Sequence, residues 1–144
     1  VQSGTTSSNV REITSTSLVA KPEIDASKSL VFYSEEFERF KVGDAELDCG
    51  GECALGFFGK QKELRKHHDE RDWRQLATKV LKTRYKIDLA YFYLGKAAEG
   101  LGFTAAAKVY FSKAIELSAT DGHACGKAVM IKCEDMDIAA LSAR

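Results

Sequence analysis

The stretch from Asp88 to Leu117 constrains this chain more than any other part of it. Leu89–Leu101 has few polar positions, so a helix there must be buried on most of its sides. Gly100 and Gly102 stop it, and Thr104–Leu117 follows with Ala107, Tyr110, Phe111, Ala114 and Ile115 on one side of a second helix. Upstream, Trp73, Leu76, Ala77, Val80 and Leu81 fall at i, i+3, i+4, i+7 and i+8, the stripe of an amphipathic helix that Tyr85 closes. Asp72 and Asp88 are read as the caps of their helices, because a carboxylate can accept from the open N–H groups of the first turn. No convincing alternation of a β pattern occurs, so the fold class is all-α.

The flanks are weaker. Residues 1–28 are rich in Ser and Thr, poor in large apolar side chains, and hold the only proline, Pro22. Such a segment cannot offset its ordering entropy alone and is expected to be a disordered leader or tether. The spacing of Tyr33, Phe37 and Phe40 predicts a helix within Ser29–Val42, ended by Gly43–Asp44. A turn at Gly50–Gly51 precedes a helix carrying Leu55, Phe58 and Leu64, which His67–Glu70 is expected to break. After a turn at Asp121–Gly122, residues 123–142 offer Val129, Met130, Cys133, Met136 and Ile138–Leu141 as a last helix. The expected domain is 29–144, with about five helices in antiparallel hairpins. Eight Phe, five Tyr and one Trp in 144 residues supply a core that needs no obligatory staple.

The 34 residues from Asp88 to Asp121 resemble the tetratricopeptide repeat. Counting Asp88 as position 1, the family's large residue at 4 is Tyr91, its Leu-Gly at 7–8 is Leu94-Gly95, and position 11 is Ala98. Ala107, Phe111 and Ala114 stand at 20, 24 and 27, and Ala119 replaces the frequent proline at 32. Gly95 and Ala107 are small where the two helices cross closely, and Tyr91, Leu94 and Phe111 fill the wedge. One repeat earlier, 54–87, the match is degraded: Phe57, Trp73, Ala77 and Val80 fit, but Lys60-Gln61 replaces Leu-Gly. The resemblance implies hairpins stacked as a short right-handed superhelix. Two units leave open faces, which 29–53, the segment after Asp121, or dimerisation would cover.

The resemblance also implies a function. The family lines a peptide-binding groove with positions 2, 5, 9 and 12 of the first helix of each repeat. Here these are Leu89, Phe92, Lys96 and Glu99, and in the degraded repeat Leu55, Phe58, Lys62 and Arg65. A groove with two Phe anchors and three cations would suit an extended peptide of acidic character, unless the same residues are covered by the 29–53 segment. The expected role is a protein-interaction module or assembly scaffold. A rival expectation comes from charge. Residues 60–86 hold 10 basic and 4 acidic side chains within a chain balanced at 21 of each, so that stretch is the candidate for a nucleic acid or another polyanion.

Candidate chemistry is thin. Cys49, Cys53, Cys125 and Cys133 form two close pairs, the pattern of disulfides in an oxidising compartment. Cys49-Gly-Gly-Glu-Cys53 can close on itself. Cys125 and Cys133 cannot bridge along a straight helix, where eight residues rise about 12 Å. Cross-pairing, free thiols and a weak metal site remain open. His67-His68-Asp69-Glu70 reads as a solvated loop rather than a metal cluster, and Cys53 with His67 lacks a group to orient it. No phosphate loop, nucleophile elbow or HExxH helix is present, so neither an enzyme nor a cofactor is expected. No apolar run approaches the roughly 18 residues of a membrane span. With Val1 in place of Met, a trimmed N-terminus is expected, by a signal peptidase or in preparing the protein. The repeat match, the paired cysteines and the Ser/Thr-rich front give the expectation of an exported protein, periplasmic or lipid-anchored through a removed segment.

Overall fold

The computed structural model describes residues 35–128 and 130–144. The expected leader 1–28, the opening of the first predicted helix at 29–34, and Val129 lie outside the described residues. The described residues are all-helical: α1 covers 35–41, and α2 is Ala54–Asp69, α3 Trp73–Thr83, α4 Asp88–Gly100, α5 Thr104–Ser118 and α6 Ile138–Ser142. Short 3-10 turns occupy Gly51–Cys53 and Asp121–His123. A single parallel bridge, Cys49 with Tyr85, is the only strand-like pairing among them.

Each of the four long helices packs against the next, α2 on α3, α3 on α4 and α4 on α5. The stripe of α3 buries Leu76, Ala77, Val80 and Leu81, as its periodicity predicts. Helix α4 is enclosed on most sides, with ten of its thirteen residues buried. Gly95 is where α5 comes closest: a Cβ there would lie 2.5 Å from two ring atoms of Phe111. Gly100 is equally confined, because a Cβ would fall 2.1 Å from the Trp73 indole nitrogen.

Three helices end in the same way. At the ends of α1, α2 and α4 the third residue past the helix donates back to a carbonyl five residues earlier: Asp44 to Arg39, Asp72 to His67, and Phe103 to Ala98. The residue between, one past the cap, takes a left-handed conformation and donates to the carbonyl three residues back. That position is Gly43 (φ 84°) after α1 and Gly102 (φ 91°) after α4, but Arg71 (φ 59°) after α2.

The extended stretch 44–48 has no strand beside it, and tyrosine hydroxyls serve its backbone instead. Tyr110 Oη donates to the Phe40 carbonyl at 2.7 Å and accepts from the Ala45 N–H at 3.2 Å, while Tyr91 Oη accepts from the Leu47 N–H at 2.8 Å. Phe40 stacks on Tyr110 with ring centroids 5.6 Å apart, and Phe37 lies beneath the Arg74 guanidinium at 4.2 Å.

Several expectations need correction. The helix predicted over 123–142 forms only at Ile138–Ser142. The stretch before it is a loop closed by a Cys125–Cys133 disulfide with Cα atoms 5.1 Å apart, which no helix can span. Helix α2 runs through His67 and His68 to Asp69 rather than breaking there. Its buried face is Ala54, Phe57, Gln61 and Leu64, so Leu55 and Phe58 point outward at 66% and 49% exposure. Asp72 stands at the N-cap of α3 without a capping bond. Asp88 is the first residue of α4, after Ile87, and its carboxylate turns inward.

Candidate functional site

The residues that repeat spacing nominates as a groove do not share one fate. Leu89 and Phe92 are buried in the core at 0% and 2% exposure and present no surface to a partner in this conformation. Lys62 and Phe58 are exposed on α2. Arg65 is half-buried and committed: its Nε lies 3.2 Å from both Asp69 carboxylate oxygens, and its Nη1 donates to the Glu134 carbonyl at 3.1 Å. Lys96 and Glu99 form an i, i+3 pair at 3.5 Å.

The C-terminal loop packs against α2. Gln61 donates through Nε2 to the Lys132 carbonyl at 2.6 Å, one helical turn before the Arg65–Glu134 contact. Ile131 is 1% exposed and belongs to the core. At the other end of the loop the Asp88 carboxylate accepts from the Cys125 N–H at 2.8 Å and from the Ser118 hydroxyl at 2.8 Å. Burial pushes the Asp88 carboxyl above its usual range, and these hydrogen bonds pull the other way.

A depression of about 700 Å³ is lined by His68, Asp69, Arg71, Trp73, Lys96 and Gly100. Trp73 lies against Gly100, with His68 edge-on to it at 6.1 Å. The other side of His68 meets Tyr93 at 5.5 Å and Phe92 at 5.9 Å. Asp69 is paired with His68 Nδ1 at 2.9 Å and with Arg65, and its carboxyl is held below its usual range, first by His68. Its charge is therefore met from within. Arg71 makes no ion pair among the described residues. The depression thus combines an indole face, an uncommitted guanidinium and the Lys96 ammonium. Of the nominated residues only Lys96 lines it. Arg71 was nominated only as one cation of the basic stretch 60–86, and His68 and Trp73 were missed; nothing local in the sequence places an arginine at a helix C-terminus in the left-handed position.

Of the ten cations in the basic stretch, Lys60, Arg65, Lys79 and Arg84 pair with carboxylates among the described residues. Lys60 and Lys79 both pair with Glu63, whose carboxyl is lowered mainly by the Lys79 hydrogen bond, and Arg84 pairs with Asp48 at 2.7 Å. His67 places Nε2 3.8 Å from Glu63 and Nδ1 3.4 Å from Asp72, without the geometry of a hydrogen bond at either nitrogen. No cluster among the described residues has the donor set of a metal site.

All four cysteines are oxidised, as Cys49–Cys53 and Cys125–Cys133. No helix among the described residues is long and apolar enough to cross a membrane. No family model, curated protein or solved structure matches the chain.

Proposed function

We propose that this chain is an extracytoplasmic protein-interaction module, built of helical hairpins of the tetratricopeptide type, that docks an acidic extended segment of a partner protein. The observation that carries this reading is Arg71. It holds a left-handed backbone where the two equivalent helix ends use glycine, and among the described residues it pairs with no carboxylate while lining the same depression as Trp73 and Lys96. Backbone strain of this kind persists where a side chain is needed at that place. An indole flanked by arginine and lysine is a common energetic centre of protein contacts, and its charge selects carboxylates. The spacing of Tyr91, Leu94-Gly95, Ala107 and Phe111 supports the repeat class, and two disulfides support an oxidising compartment.

The test is fluorescence anisotropy of the full chain with two labelled ten-residue peptides, one Glu/Leu-rich and one Lys/Leu-rich. The acidic peptide is expected to bind saturably and the basic one not. Arg71→Glu and Lys96→Glu should each weaken binding about tenfold, or ~1.4 kcal/mol. Equal binding of both peptides, or indifference to both substitutions, would refute the site.

A further inference from the structure

We propose that the Cys125–Cys133 loop is a removable cover, an intramolecular ligand that reduction of its disulfide releases. The uncovered face of α2 then takes an extended partner segment bearing an aliphatic residue followed three positions later by an acid. The proposal rests on the protein-binding reading above and adds a gate and a ligand pattern to it.

The cover is held as a peptide ligand would be. Gln61 and Arg65 stand one helical turn apart, a rise of about 6 Å. They grip the carbonyls of Lys132 and Glu134, two residues apart in the loop. Ile131 supplies the aliphatic anchor, and the Glu134 carboxylate reaches the Arg65 guanidinium at 3.5 Å. Ile131 and Glu134 therefore display the pattern. Gln61 is buried at 6% exposure with the loop in place, and once the loop leaves, its amide is free to donate to another carbonyl there.

The cover is also poised to leave. Met130 (φ 71°), Glu134 (φ 54°) and Asp135 (φ 68°) all adopt the left-handed conformation that non-glycine residues avoid. Three such residues within six persist only because the disulfide and the α2 contacts impose them. Cys133 is half-buried and reachable, whereas Cys125 is 6% exposed. A dithiol reductant balances the step. Its thiolate attacks Cys133 Sγ, the bond to Cys125 Sγ breaks, and Cys125 leaves as a thiolate that takes up a proton. The reductant's second thiol then displaces Cys133 and ends as a disulfide, so two electrons and two protons have passed to the protein. Asp88 Oδ2 lies 3.7 Å from Cys125 Sγ, where a carboxylate opposes a lasting thiolate and accepts from the thiol.

The probe is a labelled peptide copying residues 128–137 with Cys133→Ser, titrated by anisotropy into the full chain. Three forms are compared: oxidised, reduced with dithiothreitol, and the C125S/C133S variant that keeps Cys49–Cys53. Loss of a nine-residue covalent loop corresponds to a factor on the order of 50–100, so binding should tighten by about that much in both open forms. Arg65→Ala in the variant, or Ile131→Ser in the peptide, should remove the gain. Equal affinity in all three forms overturns the proposal. Hydrogen exchange of reduced wild-type chain provides a second readout. The amides of Cys125 and Gly126, which donate to Asp88 and to the Ile131 carbonyl, should exchange at least about tenfold faster while α4 amides are unchanged. Unchanged exchange, or collapse of α3–α5 on reduction, makes the loop a structural staple and overturns the gate. If the Glu/Leu peptide still binds through Arg71 while the loop peptide binds no form, the gate fails and the module stands. If the loop peptide binds both open forms while the Glu/Leu peptide binds none, the gate stands and the Arg71 site fails.

Discussion

Replacing Arg71 by glycine should make the protein more stable and less able to bind. An L-residue in the left-handed conformation costs about 1–2 kcal/mol relative to its ordinary backbone. Arg71, at φ 59°, carries that cost in a helix-end motif that Gly43 and Gly102 complete elsewhere in the same chain. Glycine removes the cost but widens the unfolded ensemble by about 0.4–1 kcal/mol. No ion pair offsets the balance, because Arg71 has none among the described residues. The net expectation is a gain of about 0.5–1 kcal/mol, or roughly 2–5 °C in Tm for a domain of this size. Thermal melts followed by far-UV circular dichroism measure it. Arg71→Ala is the control: it keeps the strained backbone and loses the guanidinium, so its Tm should not rise. Both variants should bind the acidic peptide about tenfold more weakly. An Arg71→Gly melt below the parent's would show that the left-handed residue is not the burden argued here. Full affinity in either variant would show that the guanidinium takes no part in the site.

Gly95→Ala sets a helix-propensity gain against a Cβ 2.5 Å from the Phe111 ring; a net loss of about 1–3 kcal/mol is expected in denaturant titrations, with Phe111→Leu recovering part of it. Tyr110→Phe strands the Ala45 N–H and leaves the Phe40 carbonyl with only the Gly43 N–H, and should cost about 1–3 kcal/mol by the same measurement. Burial raises Tyr85, Tyr91, Tyr93 and Tyr110 above the usual phenol value of 10.0. Their raised folded values mean that this stability is whole below pH about 10 and lost as pH climbs through those values. Phenolate absorbance should therefore appear together with loss of helical signal, and early titration of all the tyrosines in a folded chain would contradict it. Thiol titration in denaturant should find no free cysteine before reduction and four after it.

Where burial follows a simple period, the sequence was legible. Trp73 to Leu81 and Thr104 to Leu117 show their stripes directly, and the crowding at Gly95 follows from Phe111 facing it across the hairpin. The C-terminus misled because Val129, Met130, Cys133 and Met136 imitate helical spacing. The competing signal was already present: a bridge between Cys125 and Cys133 forbids that helix, and the covalent constraint prevailed. The groove was only partly legible. Leu89 and Phe92 occupy groove positions by register, but α4 is enclosed on most sides, leaving those apolar residues no outlet. Arg71 was visible only as part of the basic stretch, and its left-handed place at the end of α2 was not, because helix-end rules nominate glycine there.

Most packing in this stack joins neighbours in sequence, the kind of architecture that can fray one hairpin at a time. Two pairs of distant ends are nevertheless laced together. Tyr110 reaches 70 residues back to Phe40, and Lys132 and Glu134 lie 71 and 69 residues beyond Gln61 and Arg65. A short ladder of helices knotted at its extremities should melt as one body, with its terminal segments protected nearly as long as its middle.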